Sequence, residues 1–427
     1  MKKNFIKGIM MSLVIMMIPI GAYGETSIEG MDLSSQRAIV MDVDTGEVIF
    51  SLNSEEKVQM ASTTKLMTGL LLAENRKKED LLTFTELAKE QPSTSIYKDL
   101  WLPLEVGDKF TAEDVMKGLL LRSGNDMAYM IAEEISGNPQ EFSKLMDARA
   151  AEIGMKNTDF YTPTGLDDDE VLNGENHYST AYDMALLTIE ALKNPWVKEV
   201  VGTKETDIGS VDGARYDIVN SNANLGIDGN IGGKTGFTSK AGRCLTSIYE
   251  IDGRTLVGVV LGGEAPDFFQ DMDKIIKHGA AKEKEIVYSS DEELYVQREE
   301  VRPLKFIGDF EEIEIPLYVK VDVQWYNNDY NKKYRTYDMN LKKIDPWNLE
   351  KGAVVGELII TDNNSEEVVP VYAKFSTEEY VASHKDLYMK VLTLAVAIVV
   401  GVLAVITIIV VVICKKKKRK YIKEKTL

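Results

Sequence analysis

Ala61-Ser62-Thr63-Thr64-Lys65-Leu66-Met67 sets a hydroxyl and an amine three residues apart where a helix is expected to begin. Leu66, Met67, Leu70, Leu71, Leu72, Ala73 and Glu74 are strong helix formers, and they follow a Ser/Thr cluster suited to an N-terminus. Positions i and i+3 share one helix face, so Lys65 can serve Ser62 as hydrogen-bond partner and proton acceptor. Ser62 also falls at the positive end of the helix dipole, where free amides favour a developing oxyanion and disfavour an ammonium. Taken alone, Ser-x-x-Lys describes no more than a polar pair on the surface of a solvated helix.

Outward from this stretch the pattern mixes strands and helices. The apolar runs 38–43 and 47–50 flank Asp44-Thr45-Gly46 and read as a hairpin. Thr111-Ala112-Glu113-Asp114 is a capping box ahead of an apolar run ending at Leu121, and further helices are expected over 126–135 and 140–153, the latter closed by Gly154. Strands return at 244–250 and 255–261 around Asp252-Gly253, a strong hairpin turn. Terminal strands that bracket a helical middle predict an antiparallel sheet with helices on its faces, an α+β architecture.

From residue 289 to about 375 the reading is mainly β. Ile313, Ile315, Leu317, Val319, Val321, Val323 and Trp325 alternate with polar neighbours as in one half-buried strand, bent or broken near Pro316. The runs 354–360 and 368–373 form a second hairpin around Asp362-Asn363-Asn364, so a small β-sandwich or barrel is expected. Tyr326, Tyr330, Tyr334 and Tyr337, interleaved with Lys332, Lys333 and Arg335, read as a solvated hairpin or as a sugar- or partner-binding face. Residues 377–390 read as a polar stalk.

Both ends of the chain are hydrophobic. Lys2, Lys3 and Lys7 accompany an apolar run over 9–20, and Ala22-Tyr23-Gly24 offers small residues at a cleavage site, so 1–24 reads as a signal peptide cut before Glu25. The uncharged run 391–414 gives roughly 36 Å of helix at ~1.5 Å per residue, enough to cross a bilayer. The basic run Lys415 to Lys420 places the tail 415–427 in the cytoplasm and everything between the two apolar segments outside.

Net charge is -18, and the basic ends leave the middle more acidic still, a poor match for nucleic acid. Cys244 lies outside and Cys414 at the inner membrane edge, so they cannot pair within one chain. His177, His278 and His384 stand apart without metal-ligand spacing and read as packing or surface residues. Neither a metal nor another cofactor is called for, and no histidine suits a Ser-His-Asp arrangement.

Ser123-Gly124-Asn125 follows at the break between two expected helices, and Lys234-Thr235-Gly236 precedes an expected strand. Ser-x-x-Lys, Ser-x-Asn and Lys-Thr-Gly in that order are the signature set of penicillin-recognising serine enzymes. The region from about Ser35 to His278 most resembles the D-alanyl-D-alanine carboxypeptidases, the low-molecular-mass penicillin-binding proteins. Ala61 to Thr68, Ser123 to Ala128, Ser179 to Ala185 and Gly233 to Thr238 all resemble its blocks. Lys351-Gly352-Ala353-Val354-Val355-Gly356 is a weaker marker of the β-rich second domain that the family often carries.

The resemblance implies a penicillin-recognising serine transpeptidase/β-lactamase-like domain over 25–288, an antiparallel sheet with a helical subdomain. A small all-β domain over 289–376, the stalk and the C-terminal transmembrane helix would follow. It implies removal of the terminal D-Ala from peptidoglycan stem pentapeptides, with β-lactams as covalent inhibitors. Ser62 would be the nucleophile, Lys65 its base and Ser123 a hydroxyl relay toward the leaving amine. Asn125 would bond the substrate backbone. Lys234 would help lower the pKa of Lys65 and, with Thr235 of the Lys234-Thr235-Gly236 motif, receive the substrate carboxylate; the amides of Ser62 and Phe237 would form the oxyanion hole. An ordinary Lys has a pKa of ~10.4, and lowering it by ~3 units costs about 4 kcal/mol, which burial and a neighbouring cation can supply. Many relatives lie on the membrane through an amphipathic helix, whereas this chain has a full span.

Two rivals remain open at this stage. A β-lactamase needs a second base, which class A enzymes take from Glu-x-x-Leu-Asn, and Glu170-Val171-Leu172-Asn173 is one residue short of that pattern. A membrane-anchored penicillin-binding sensor would need more cytosolic chain than the tail provides. Transpeptidation differs only in whether water or an amine takes the acyl group.

Overall fold

The computed structural model describes residues 31–92, 94–100, 103–290, 292–305, 309–362 and 365–425. The expected signal peptide lies outside the described residues. Strands β1 (Arg37–Asp42), β2 (Val48–Leu52), β3 (Asn230–Thr238), β4 (Gly242–Ile251) and β5 (Arg254–Gly263) form one antiparallel sheet in the order β2-β1-β5-β4-β3. Period two explains how it is buried on both faces: Ile39, Met41, Val257 and Val259 enter one core, while Ala38, Val40, Leu256 and Val260 enter the other. The turns follow their residues. Asp252 and Gly253 both take positive φ, 50° and 78°, as a two-residue hairpin turn requires, and the Asp42 carboxylate accepts from the amides of Asp44 and Thr45 in the first hairpin.

The helical layer lies between β2 and β3. It includes α1 (Lys65–Asn75), α2 (Ala112–Leu121), α3 (Asn125–Ser136), α4 (Pro139–Ile153) and α5 (Ala181–Lys193); α6 (Asp267–Ala281) covers the other face of the sheet. The Thr111 hydroxyl caps α2 by accepting from the Asp114 amide at 3.1 Å, Asn138 caps α4, and Gly154 ends α4 at φ 90°. The α+β expectation holds in architecture and at most element bounds. Lys234-Thr235-Gly236, expected ahead of a strand, instead lies inside the edge strand β3.

The second region differs more from expectation. Strands β6 (Glu285–Tyr288), β7 (Tyr295–Val301), β8 (Glu311–Tyr318), β9 (Val323–Trp325), β10 (Thr336–Leu341), β11 (Val354–Asp362) and β12 (Ser365–Ala373) form a five-stranded sheet, β7-β8-β12-β11-β10, and a two-stranded one, β6-β9. Both contribute to one core through Leu317, Trp325, Leu358 and Val371. The run 313–325 is therefore not one strand. Its break comes after Tyr318 rather than at Pro316, and the two halves join different sheets. Pro316 is accommodated inside β8 because the β12 pairing starts only at Leu317; its carbonyl accepts from the Lys374 amide, and the nitrogen that cannot donate lies on that same side. The boundary expected after Tyr288 falls inside this region, since β6 is already paired with β9.

The tyrosine-rich stretch is neither a solvated hairpin nor an open binding face. Residues Asp329–Tyr334 form a short helix, α7, that docks on β2: Asn328 and Asn331 donate side-chain N–H groups to the Val48 carbonyl at 2.7 and 2.8 Å. Tyr326 is buried beneath the sheet, and Tyr330 stacks on Tyr182 with centroids 5.8 Å apart. Part of the stalk is built in as well. Helix α8 (Thr377–Ser383) buries Tyr380 against Trp347, and α9 runs unbroken from Lys385 to Lys425. Within it, residues Lys385–Arg419 are long and apolar enough to cross a bilayer.

Candidate active site

Met60 ends the approach to a single 3₁₀ turn, Ala61–Thr64, which feeds directly into α1. Ala61 holds φ 48°, an uncommon value for a residue with a Cβ, and the turn leaves Ser62 partly exposed while Thr63 and Thr64 are buried. The Thr64 hydroxyl donates to the Ala61 carbonyl at 2.8 Å, and His177 lies behind it, with Nε2 3.3 Å from that hydroxyl. Because His177 Nδ1 accepts from the Tyr161 amide and burial lowers its pKa to about 4, the ring is neutral. The packing role expected of this histidine holds.

Lys65 is not on the surface of a solvated helix, as Ser-x-x-Lys alone would have it: it is 0% exposed. Its Nζ stands 2.9 Å from Ser62 Oγ, 2.9 Å from Asn125 Oδ1 and 2.8 Å from the Thr164 carbonyl oxygen. Burial drives its pKa well below the ordinary lysine value, the Lys234 charge lowers it further, and Asp126 opposes both. A neutral amine has two N–H groups and one lone pair. Asn125 and Thr164 can occupy both N–H groups, which turns the lone pair toward the Ser62 hydroxyl. That arrangement can accept a proton from an attacking oxygen.

The opposite wall comes from the Ser123 loop and β3. Ser123 takes φ 64° at the turn between α2 and α3, and its Oγ accepts from Lys234 Nζ at 3.0 Å. Lys234 is 1% exposed, and burial lowers its pKa to about 7. Thr235 Oγ1 lies 2.7 Å from Ser221 Oγ. Gly236 lets the strand approach the turn, since a Cβ there would lie 2.9 Å from the Ser62 amide nitrogen and 3.0 Å from that of Thr63. Phe237 follows with its ring 53% exposed.

The structure thus gathers Ser62, Lys65, Ser123, Asn125, Lys234, Thr235, Gly236 and Phe237 along one seam. Asn125, expected to face substrate, here gives its oxygen to Lys65, and its Nδ2 lies 3.5 Å from the Pro92 carbonyl.

Sequence reasoning missed the Thr164 carbonyl and Ser221. Pro163-Thr164-Gly165 was legible as a turn, and its glycine is needed at φ 84°, where a Cβ would lie 1.8 Å from the Ala61 carbonyl oxygen. Asp126, at the start of α3, has a structural part that its place in the Ser123 to Ala128 block does not reveal. It accepts from the Ile96, Tyr97 and Met127 amides and the Ser95 hydroxyl, and so pins residues 95–97, which lie ahead of α2, against the start of α3. Glu170 is exposed on a short helical turn, Asp169–Leu172.

Compared with known proteins, residues 24–265 match the family model described as D-alanyl-D-alanine carboxypeptidase. The chain belongs to this family. The carboxypeptidase DacF of Bacillus subtilis is 35% identical over 241 residues, which cover 54% of this chain and 58% of that relative. A D-alanyl-D-alanine endopeptidase of Escherichia coli is 29% identical over 234 residues, 54% of this chain and 72% of its own. Among solved structures, the carboxypeptidase DacD of Francisella tularensis superposes over 81% of this chain and 94% of its own, with a TM-score of 0.60 at 23% identity, a likeness of fold. Penicillin-binding protein D2 of Listeria monocytogenes, in an ampicillin-bound form, covers 58% of this chain and 98% of its own, with a TM-score of 0.51 at 28% identity. The family match ends at residue 265, before the β-rich region.

Proposed function

We propose that this protein is a serine-type D-alanyl-D-alanine carboxypeptidase that removes the terminal D-Ala from peptidoglycan stem pentapeptides and is acylated by β-lactams. The observation that carries the reading is the Lys65 amine, buried, lowered in pKa and 2.9 Å from Ser62 Oγ. Ser62 attacks the penultimate carbonyl while its proton passes to Lys65. The amides of Ser62 and Phe237, which the close approach at Gly236 brings together, receive the oxyanion. Ser123, held by Lys234, gives its hydroxyl proton to the leaving amine and takes in exchange the one that Lys65 accepted, so the Lys65 amine is again neutral for the hydrolytic step. Lys234 and Thr235 hold the terminal carboxylate, and Asn125 both orients Lys65 and lies where the substrate backbone passes. Water then releases a tetrapeptide.

This chemistry belongs outside the cell, on the wall. The signal-like N-terminus, the apolar helix within Lys385–Arg419 and the basic run beyond it favour a single-pass anchor with the catalytic region outside and the tail in the cytoplasm. The full chain in detergent micelles, given a pentapeptide ending in D-Ala-D-Ala, should release one D-Ala per peptide. No D-Ala together with rapid penicillin hydrolysis would replace this reading with a β-lactamase.

A further inference from the structure

The β-rich region is tied at three points to the helices that lead into the apolar span. The Tyr380 hydroxyl donates to the Glu311 carboxylate, His384 Nε2 lies 3.1 Å from the same carboxylate, and the Tyr388 hydroxyl donates to the Pro303 carbonyl. Residues 380, 384 and 388 are spaced by four, and all three meet the two ends of the β7–β8 connection. Tyr388 stands three residues before Val391, where the uncharged run begins, roughly 4.5 Å along a helix at ~1.5 Å per residue. The polar layer of one leaflet is roughly 5–8 Å deep. The turn Arg302–Lys305, closed by the Lys305 amide on the Arg302 carbonyl at 2.9 Å, therefore stands at headgroup depth.

Beside that turn lies a groove of about 600 Å³, between the end of β7 and the loop that precedes β11. Arg302, Lys305 and Lys343 line it, together with Phe310 and Trp347. Trp347 packs edge-on against Tyr380 with centroids 5.7 Å apart, so both walls are fastened to the helix junction. The Arg302 guanidinium carbon lies 4.3 Å from the centroid of the Phe310 ring, and Phe310 is 58% exposed. An aromatic edge beside long basic side chains suits a membrane–water boundary, where the ring reaches toward the acyl chains and the cations meet phosphates. Glu299, Glu300 and Asp345 line the same groove, so it fits a headgroup that carries a cation beside its phosphate better than a bare anion.

We propose that this groove binds the headgroup of a membrane phospholipid, with Arg302, Lys305 and Lys343 taking the phosphate and Phe310 entering the headgroup layer beside it. The proposal goes beyond the peptidase reading and rests on the anchor reading, in which α9 crosses the bilayer with the catalytic region outside. A bound lipid fastens the β-rich region to the surface and so sets the tilt of the active-site seam above it.

The test compares deuterium uptake by the full chain in nanodiscs of phosphatidylethanolamine mixed with phosphatidylglycerol and in maltoside micelles, whose sugar heads carry no phosphate. Uptake over 299–305 and 343–347 should slow several-fold in the nanodiscs, and the combined variant Arg302→Gln, Lys305→Gln, Lys343→Gln should lose most of that slowing. Wild-type uptake across β11 marks a folded β-rich region; should the combined variant lose it, Lys343→Gln alone, on an exposed loop, should still lose part of the slowing. Release of D-Ala from a soluble pentapeptide should not change, because none of the three residues lies at the seam. No slowing in the wild type, or slowing that survives in a folded variant, would overturn the proposal. Equal slowing in micelles given glycerol phosphate would overturn it too, in favour of a soluble phosphate ester. A chain that α9 fails to hold in nanodiscs would overturn the anchor reading and the proposal together. None of these outcomes bears on D-Ala release, by which the peptidase reading is judged.

Discussion

The active-site seam and the junction between the two regions both bury charged side chains, yet they arrange them in opposite ways. At the seam two lysines, Lys65 and Lys234, are buried; burial drives both below the ordinary lysine pKa, and the Lys234 charge lowers Lys65 further. At the junction one carboxylate, Glu47, meets Lys284 and Arg335 and also accepts from the Tyr326 amide at 3.1 Å. Like charges in a dry site yield an amine ready to take a proton, whereas unlike charges yield a fixed dock. The chain has thus buried charge once for reactivity and once for geometry, and the pairing distinguishes the two uses.

The sharpest way to break this contrast is at Lys65. Lys65→Met keeps most of the volume but removes the base, and acylation by a fluorescent penicillin should fall by about a thousandfold, within the usual range for a proton acceptor. Both Met and Ala leave the Asn125 and Thr164 oxygens without a donor, at about 1–3 kcal/mol for each, but Lys65→Ala is the poorer test because it also opens a cavity at a buried site. A chain with native circular dichroism and unchanged acylation rate would remove Lys65 from the chemistry.

Lys234 offers a smaller effect with a clear sign. Its charge is present below its lowered pKa of about 7 and is lost above it, so kcat/KM for peptide should decline as pH rises past that value. The fall should approach about tenfold per unit. Lys234→Arg stays protonated throughout, so its profile should lose this alkaline limb, whatever its absolute rate. The same linkage acts on stability. The unfolded chain holds the lysine proton up to ~10.4, so between about 7 and that value the unfolded state binds more protons, and stability should rise with pH. A wild-type peptidase profile that stays flat from pH 7 to 9 would contradict the Lys234 assignment.

At the junction the smallest effect is expected. Asn331 donates to the Val48 and Tyr326 carbonyls at 2.8 and 2.7 Å, so Asn331→Ala should cost about 2 kcal/mol of stability, seen as a lower thermal midpoint. Cleavage of a soluble pentapeptide at 25 °C should not change. A loss of cleavage in the folded variant would mean that the dock also shapes the seam.

Much of this could be read in the sequence because the decisive signals are local. Ser62 and Lys65 are one helical step apart, Asp252-Gly253 dictates its own turn, and the resemblance joined Ser123 and Lys234 to them across the chain. The Thr164 oxygen left no trace, since any residue carries a carbonyl and only the fold brings this one to Lys65. Alternation over 313–325 persisted across a break because period two reports which face is buried, not which sheet a strand joins. The tyrosines at 326–337 mislead for a related reason. An amphipathic ring looks the same in a sequence whether it faces water or, like Tyr326, a neighbouring core.

The most direct test of the account is the site of covalent attack. The full chain, treated with a fluorescent penicillin and digested, should carry the adduct on the peptide containing Ser62, and Ser62→Ala should carry none. An adduct on Ser123, or labelling that survives Ser62→Ala, would contradict the pairing of Ser62 with Lys65 on which the proposed chemistry rests.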